Sequence, residues 1–217
     1  MNKNISIKTS ENNTDYHFAV NFMQDYVNQI LNKNKKDLIW FLNHDHIYTC
    51  GTSAKKDEIL KQTNIPVIKS NRGGKTTYHG PGQRIIYLMI DLNKRKKDIR
   101  KFISLIENSI IDLLREFNIE SSTYPDRIGI WIIKNNNKKL IKEKKIGAIG
   151  LRLKKWVTFH GLSFNIKPDL EYYKNINACG LVDYEATSLK ELGVEISEKQ
   201  FDEIFLKNFT KKMKNFL

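Results

Sequence analysis

The predicted strands come in runs along this chain, and their order constrains the fold more than any other sequence feature. Apolar strand patterns are found in two groups, first at 37–44, 47–51, 66–70 and 84–92, then at 127–133, 145–153 and 156–166. One clear amphipathic helix separates the groups, because apolar residues from Ile99 to Phe117 recur at the helical repeat. Strict alternation of strands with helices would indicate a doubly wound parallel sheet. The observed order instead favours an α+β fold, a mixed β-sheet with packed helices.

Two further helices are predicted towards the ends of the chain. Thr14 is a candidate N-cap for a helix with one apolar face, made of Phe22, Met23, Tyr26 and Ile30. Ser197 and Gln200 form a predicted capping box for a last helix, which carries Phe201, Ile204, Phe205 and Phe209 and is expected to be a satellite of the core. No Pro- or Gly-rich linker divides the 217 residues, so one domain over 1–217 is expected.

The composition indicates a soluble protein with a basic surface. The net charge of +13 would speed association with an acidic partner. The alternative is that the protein comes from a Lys- and Asn-rich proteome, in which a surplus of positive charge on the surface has no function. A basic RNA-binding module is one alternative, yet no helix-turn-helix, zinc-finger or RNP-like motif supports a nucleic-acid partner. The longest apolar run, IIYLMI, is too short to span a membrane. With two cysteines and no signal-peptide pattern, a cytoplasmic location is expected.

Four of the 11 glycines fall within ten positions of the segment SNRGGKTTYHGPGQR, residues 70–84. The segment has neither the GxxxxGK(S/T) nor the GxGxxG spacing, so the P-loop and dinucleotide fingerprints are unsupported. It combines glycines with convergent polar groups, namely Arg72, Lys75, Tyr78, His79 and Gln83, a mixture typical of a pocket that grips an extended ligand. A pair of tight turns between strands would explain the glycines equally well.

The segment RGGKTTYHGPGQ closely resembles the signature of the lipoyl(octanoyl) transferases, which move an octanoyl group from acyl carrier protein to a lipoyl domain. Three other segments are similar to this family in the same order, LNHDHIYTCGTSAKKDEIL, KKIGAIGLRLKKWVTFHGLSFNI and INACG. The resemblance implies a biotin/lipoate protein ligase-like fold, which is class II aminoacyl-tRNA/biotin synthetase-like, in a single octanoyltransferase catalytic domain at 1–217. It implies no cofactor and no metal. His44, His46 and Cys50 would make a candidate metal set, which the family does not support.

Transfer between thioesters calls for a sulfur nucleophile, and two cysteines are candidates. Cys50 ends an apolar strand, where a free cysteine is commonly a small core residue. Cys179 lies in the polar stretch NINACGLVD. The resemblance implies that Cys179 is the acyl-thioester cysteine, although Ala178 stands where the family usually has proline.

Lys145 is the candidate partner of the nucleophile. Strand alternation places it on one face with Gly147, Ile149, Leu151 and Leu153, and a lysine on an apolar face can be desolvated and exchange protons. A strand-end lysine whose ammonium reaches water is the other interpretation. The resemblance implies that Lys145 pairs with the catalytic cysteine.

The resemblance also implies a substrate pocket, formed by Arg72, Gly73, Gly74, Lys75, Thr76, Thr77, Tyr78, His79, Ala148, Ile149, Gly150, Gly161, Leu162 and Ser163. The implied donor is octanoyl-acyl carrier protein. The implied acceptors are lipoyl domains of 2-oxoacid dehydrogenase complexes and the glycine cleavage H protein, in the first step of endogenous protein lipoylation. No nucleic acid or membrane partner is expected. The protein is expected to be a monomer. The alternative function is an ATP-dependent lipoate, octanoate or biotin protein ligase that works through an acyl-adenylate.

Overall fold

A computed structural model describes residues 5–61, 63–178 and 185–216 of the chain. Its strands in chain order are β1 (Ile5–Thr9), β2 (Asp37–Leu42), β3 (Ile47–Cys50), β4 (Val67–Lys69), β5 (Thr76–His79), β6 (Gln83–Met89), β7 (Ile119–Ser122), β8 (Ile130–Asn135), β9 (Lys138–Ile149), β10 (Arg152–Lys154), β11 (Val157–Phe159) and β12 (Gly161–Asn165). Seven of them form one sheet in the order β1-β2-β6-β12-β9-β8-β7. β1 and β2 are parallel and the other neighbours are antiparallel, so the sheet is mixed as predicted.

Two smaller sheets border the large one. β3 lies between a parallel β4 and an antiparallel β5, and β10 pairs with β11. The glycine-rich segment therefore contains a buried strand, β5, which sequence analysis did not predict. Two of its glycines serve chain packing: a β-carbon at Gly80 would lie 2.0 Å from Tyr78 Oη, and one at Gly82, where φ is +80, would lie 2.6 Å from the Lys167 carbonyl oxygen.

Within the described residues, three α-helices cover the large sheet, α1 (Tyr16–Leu31), α2 (Ile99–Arg115) and α3 (Glu198–Met213). The N-cap of α1 is Asp15 and not Thr14, because the Asp15 carboxylate accepts from the Phe18 amide at 2.7 Å. The capping box of Ser197 and Gln200 is confirmed at the start of α3. None of the helices within the described residues has the length and apolarity that a bilayer crossing requires.

The two faces of the large sheet bury different hydrophobic clusters. On β6, Ile86 and Leu88 point towards α2 and α3, and the alternate residues Ile85 and Tyr87 point towards α1. The prediction that the last helix is a satellite is wrong, because its phenylalanines are at most 1% exposed in the main cluster. Arg84, which is 2% exposed, also binds Asp202 of α3 at 2.6 Å. The helix is thus part of the core.

Two segments that were predicted as single strands are each divided. The segment 145–153 leaves the large sheet after Ile149 and continues as β10 in the small sheet. The segment 156–166 is interrupted at His160, whose φ of 56 ends β11 before β12 begins. Only Asn136 and Asn137 separate β8 from β9, so both strands extend into the polar stretch between the predicted strands 127–133 and 145–153. Leu151 and His160, the residues on either side of the β10–β11 pair, line a cavity beside the large sheet.

Candidate active site

A cavity of about 420 Å³ lies between the glycine-rich segment and the large sheet. All but two of the predicted pocket residues line it, namely Arg72, Gly73, Gly74, Lys75, Thr77, His79, Ala148, Ile149, Gly150, Gly161, Leu162 and Ser163. Thr76 and Tyr78 are the exceptions, because alternation on β5 turns them to the other side. There the Thr76 hydroxyl donates to Cys50 Sγ at 3.5 Å, and Tyr78 hydrogen-bonds His46 at 2.7 Å.

Sequence analysis missed several residues of the cavity wall, chiefly Tyr16, Ile85, Tyr87, Ile103, Arg127 and Ile128. The strand register explains two of them. Ile85 pairs with Ser163 and Tyr87 pairs with Gly161, so these four residues share one face of the sheet. Alternation within β6 was readable from the sequence, but the partner strand and its register were not.

Three buried histidines lie at or behind the cavity wall as hydrogen-bonded rings. His79 bonds Gln83 Oε1 at 2.7 Å, His160 bonds Asn71 Oδ1 at 2.8 Å, and His44 bonds the Tyr87 hydroxyl at 2.7 Å. Burial lowers the pKa of His44 to about 4 and that of His160 to about 3, and it holds the pKa of His79 well below its ordinary value. The nearby Arg72 guanidinium depresses the pKa of His79 and His160 further. The rings are neutral near pH 7 and suited to orienting a ligand.

Arg72 shapes the glycine-rich turn. Its guanidinium donates to the carbonyl oxygens of Thr49 at 2.5 Å, Gly73 at 2.9 Å and Lys75 at 2.6 Å, and its Nε donates to Thr49 Oγ1 at 3.0 Å. These bonds join β3 to the backbone of the turn that lines the cavity. Arg72 is 8% exposed, so its charge is satisfied mainly inside the protein.

A second, smaller cavity of about 30 Å³ contains Lys145. Thr77, Ala148 and Ser163 line both cavities, so the two adjoin. Lys145 is 8% exposed, and its Nζ donates to the Ile128 carbonyl oxygen at 2.7 Å. This placement agrees with a buried amine and not with a side chain that reaches water.

A β-bulge places Lys145 in this cavity. Trp131 pairs with Lys145 and Ile130 pairs with Gly147, so Ile146 has no partner in the register. The predicted alternation from 145 to 153 is therefore wrong: Ile146 joins the core against α2 and α3, and Lys145 and Ala148 line the same cavity. An unbroken strand would point them to opposite faces, because they are three residues apart.

Cys179 lies outside the described residues, but both ends of its segment border the Lys145 cavity. Ala178 and Glu185 line that cavity. The Lys145 amide donates to the Glu185 carbonyl oxygen at 2.8 Å, and the Thr187 amide donates to the Lys145 carbonyl oxygen at 2.8 Å. Cys50 is partly buried and is not among the residues that line either cavity.

No group of three or more His, Cys, Asp and Glu side chains within the described residues is placed to hold a metal ion. His44 and His46 are instead bonded to the hydroxyls of Tyr87 and Tyr78.

Comparison with known proteins places the chain in a family. A family model described as the lipoyl protein ligase A/B catalytic domain matches residues 15–210. The octanoyltransferase of Wolbachia pipientis wMel is 48% identical over 198 residues, which cover 91% of this chain and 94% of that protein. The octanoyltransferase of Bartonella henselae is 42% identical over 216 residues, which cover 94% of this chain and 88% of that protein. A solved bipartite lipoate protein ligase from Thermoplasma acidophilum has a TM-score of 0.71 at 14% identity, covering 96% of this chain and 83% of that chain. The structural likeness confirms the predicted lipoate-ligase-like α+β fold.

Proposed function

The chain belongs to the lipoyl protein ligase A/B family and is an octanoyltransferase that acts in protein lipoylation; we propose that it takes the octanoyl group from octanoyl-acyl carrier protein, holds it as a thioester on Cys179 and passes it to the acceptor lysine of a lipoyl domain. The acceptors are the lipoyl domains of 2-oxoacid dehydrogenase complexes and the glycine cleavage H protein. A cytoplasmic location suits this chemistry, because reducing conditions keep a thiol free.

One observation carries the proposal: Ala178 and Glu185, the described residues on either side of the stretch that holds Cys179, both line the Lys145 cavity. Cys179 follows Ala178 directly, so their Cα atoms are about 3.8 Å apart. A thiol next to a buried amine can give up its proton to that amine, and the thiolate is the nucleophilic form. Cys50 lacks this relation to Lys145.

The reaction balances with these two groups. Lys145 Nζ accepts the Cys179 proton, and the thiolate attacks the thioester carbonyl of octanoyl-acyl carrier protein. The carbon–sulfur bond to the carrier breaks, the departing carrier thiolate takes up the proton from Lys145 and becomes a thiol, and octanoyl-Cys179 remains. The ε-amine of the acceptor lysine then attacks this second thioester, an amide forms, and Lys145 relays the amine proton to the departing thiolate. No ATP is needed, because an amide is more stable than a thioester.

The larger cavity is where we place the octanoyl chain. Thr77, Ala148 and Ser163 line both cavities, so an acyl group on Cys179 enters the larger cavity past them. Ser163 and Thr77 are 6% and 5% exposed, and neither hydroxyl has a hydrogen-bond partner within the part of the chain that the structure describes. Both can donate to the carbonyl oxygen as negative charge develops on it.

Basic residues at the cavity suit the acidic partners proposed. Lys75 and Arg127 line the cavity, within a chain of net charge +13. Positive potential there would steer a negatively charged carrier or lipoyl domain towards the thiol.

Mass spectrometry after incubation with octanoyl-acyl carrier protein tests the covalent route. We expect an octanoyl adduct on the Cys179 peptide of the wild type and of Cys50→Ser, the matched control, and none in Cys179→Ser. An adduct on another residue, or full transfer by Cys179→Ser, would refute the route. Transfer from free octanoate and ATP by Cys179→Ser would instead identify an adenylate-forming ligase.

A further inference from the structure

Gly129, the residue before β8, lies directly against the side chain of Lys145. A β-carbon at this position would lie 2.3 Å from Lys145 Cε, 2.9 Å from its Nζ and 2.7 Å from the Gly147 carbonyl oxygen. All three distances are too short for a carbon atom, so any other residue at 129 would displace the lysine, β9, or both. The φ of Gly129 is +138, which L side chains rarely adopt.

We propose that Gly129 is a positioning residue for the Cys179–Lys145 pair, because the missing side chain leaves the space that the lysine amine occupies. The inference rests on the proposed function, in which Lys145 exchanges a proton with Cys179. Gly129 touches the lysine and has no reacting atom of its own.

The turn that contains Gly129 also supplies the hydrogen bond that holds the amine. Lys145 Nζ donates to the carbonyl oxygen of Ile128, the residue before Gly129, at 2.7 Å. The same amine lies 5.3 Å from the centroid of the Trp131 ring, and the Trp131 indole N–H donates to the Arg127 carbonyl oxygen at 2.8 Å. The amine therefore contacts both the Ile128 carbonyl oxygen and the Trp131 ring, and the Trp131–Arg127 bond ties that ring to the same turn.

The β-bulge in β9 explains why the close approach occurs at this position. Ile130 pairs with Gly147 beyond the bulge, whereas Trp131 pairs with Lys145 before it. The unpaired Ile146 increases the local twist and directs the Lys145 side chain back over the start of β8. Only a residue without a β-carbon leaves room for that path.

The turn also connects the lysine with the acyl cavity. Arg127 and Ile128 line the larger cavity, and Ile128 is 59% exposed at its edge. The carbonyl group that orients the amine and a side chain that borders the acyl group thus belong to one residue, so a shift of this turn would change both.

The test compares Gly129→Ala with Gly193→Ala. Gly193 also has a positive φ, +80, but a β-carbon there meets nothing within 4 Å, so this control adds backbone strain without a clash. The measurement is the rate of alkylation of Cys179 by iodoacetamide as a function of pH, followed on the Cys179 peptide so that Cys50 does not contribute. Lys145→Met is included to show what loss of the amine does.

We expect the apparent pKa of Cys179 to rise towards the ordinary thiol value of about 8.5 in both Lys145→Met and Gly129→Ala, with roughly tenfold slower alkylation near pH 7. Gly193→Ala should match the wild type. If Lys145→Met leaves the profile unchanged, the Cys179–Lys145 pair itself fails. If Lys145→Met shifts the profile and Gly129→Ala does not, the pair stands and the role of Gly129 is overturned.

A double-mutant cycle keeps the inference testable if Gly129→Ala folds poorly. Lys145→Ala removes Cε and Nζ, the two side-chain atoms that the new β-carbon would meet. The loss of melting temperature caused by Gly129→Ala should therefore be smaller in the Lys145→Ala background than in the wild type. Equal losses in the two backgrounds would show that Gly129 does not act through Lys145.

Discussion

Mild acid should destabilise this fold, because His44 and His160 are buried as neutral rings. Burial lowers their pKa values to about 4 and about 3, from an ordinary value of 6.5. Unfolding exposes both rings to water, so below pH 6.5 the unfolded chain binds protons that the folded chain does not. The free energy of unfolding is therefore highest above pH 6.5 and falls as the pH drops from 6.5 towards the folded-state pKa values.

The size of the effect follows from the two pKa differences. One pKa unit corresponds to about 1.4 kcal/mol, so at pH 5 each ring lowers the free energy of unfolding by about 2 kcal/mol. The pair lowers it by about 4 kcal/mol, a large part of the roughly 5–15 kcal/mol that stabilises a typical domain. His79 acts in the same direction, because burial also depresses its pKa.

Urea unfolding at pH 7, 6 and 5 measures this dependence for the wild type and for His160→Asn. Asparagine tolerates the φ of 56 at this position and has no titrating group. Between pH 6 and 5, the variant should lose about 1 kcal/mol less stability per pH unit than the wild type. Ile103→Val, a change in the same cavity wall, should lower stability at every pH without changing the slope. An unchanged slope in His160→Asn would refute the reasoning.

Three further predictions concern the core, the cavity and the charge. Asp202→Asn should lower the free energy of unfolding by about 3–5 kcal/mol, because Asp202 is the more buried of the two carboxylates that bind the buried Arg84 guanidinium, and Glu198 is the other. Glu198→Gln should cost less, since that side chain is 34% exposed, and equal losses in urea unfolding would contradict this ranking. Ser163→Leu should shift the acyl preference from octanoyl towards shorter donors by at least about tenfold in kcat/KM, because added bulk fills the junction of the two cavities. Ser163→Ala should keep the octanoyl preference, and an unchanged chain-length profile in Ser163→Leu would count against the placement of the chain. Finally, kcat/KM for octanoyl-acyl carrier protein should fall as the salt concentration is raised, because the screening length shrinks from about 10 Å at 0.1 M to about 3 Å at 1 M. A kcat/KM that does not change with salt would exclude steering by the net charge of +13.

Features with a strong local signal could be predicted from the sequence. The apolar stripe of α2 and the capping box of Ser197 and Gln200 depend on residues a few positions apart, and both are confirmed. The mixed α+β fold is confirmed as well. Strand β5 was missed, because its residues lie between glycines and gain their strand conformation only by pairing with β3. The break at His160 was missed for a similar reason, since it depends on how β11 and β12 pair with different partners.

The candidate site illustrates this limit most clearly. The catalytic role that the resemblance implies for Lys145 stays a prediction, and alternation assigned this residue to the wrong set of neighbours. Alternation holds only while each residue of a strand has one partner, and Ile146 has none. The bulge lets one strand bury Ile146 among the helices and still place Lys145 beside Ala148, which no regular strand could do. The bulge is defined by the register on its two sides, where Ile130 pairs with Gly147 and Trp131 pairs with Lys145. The position of the amine that we assign to catalysis therefore depends on the pairing of β8 with β9, and no short sequence motif predicts that pairing.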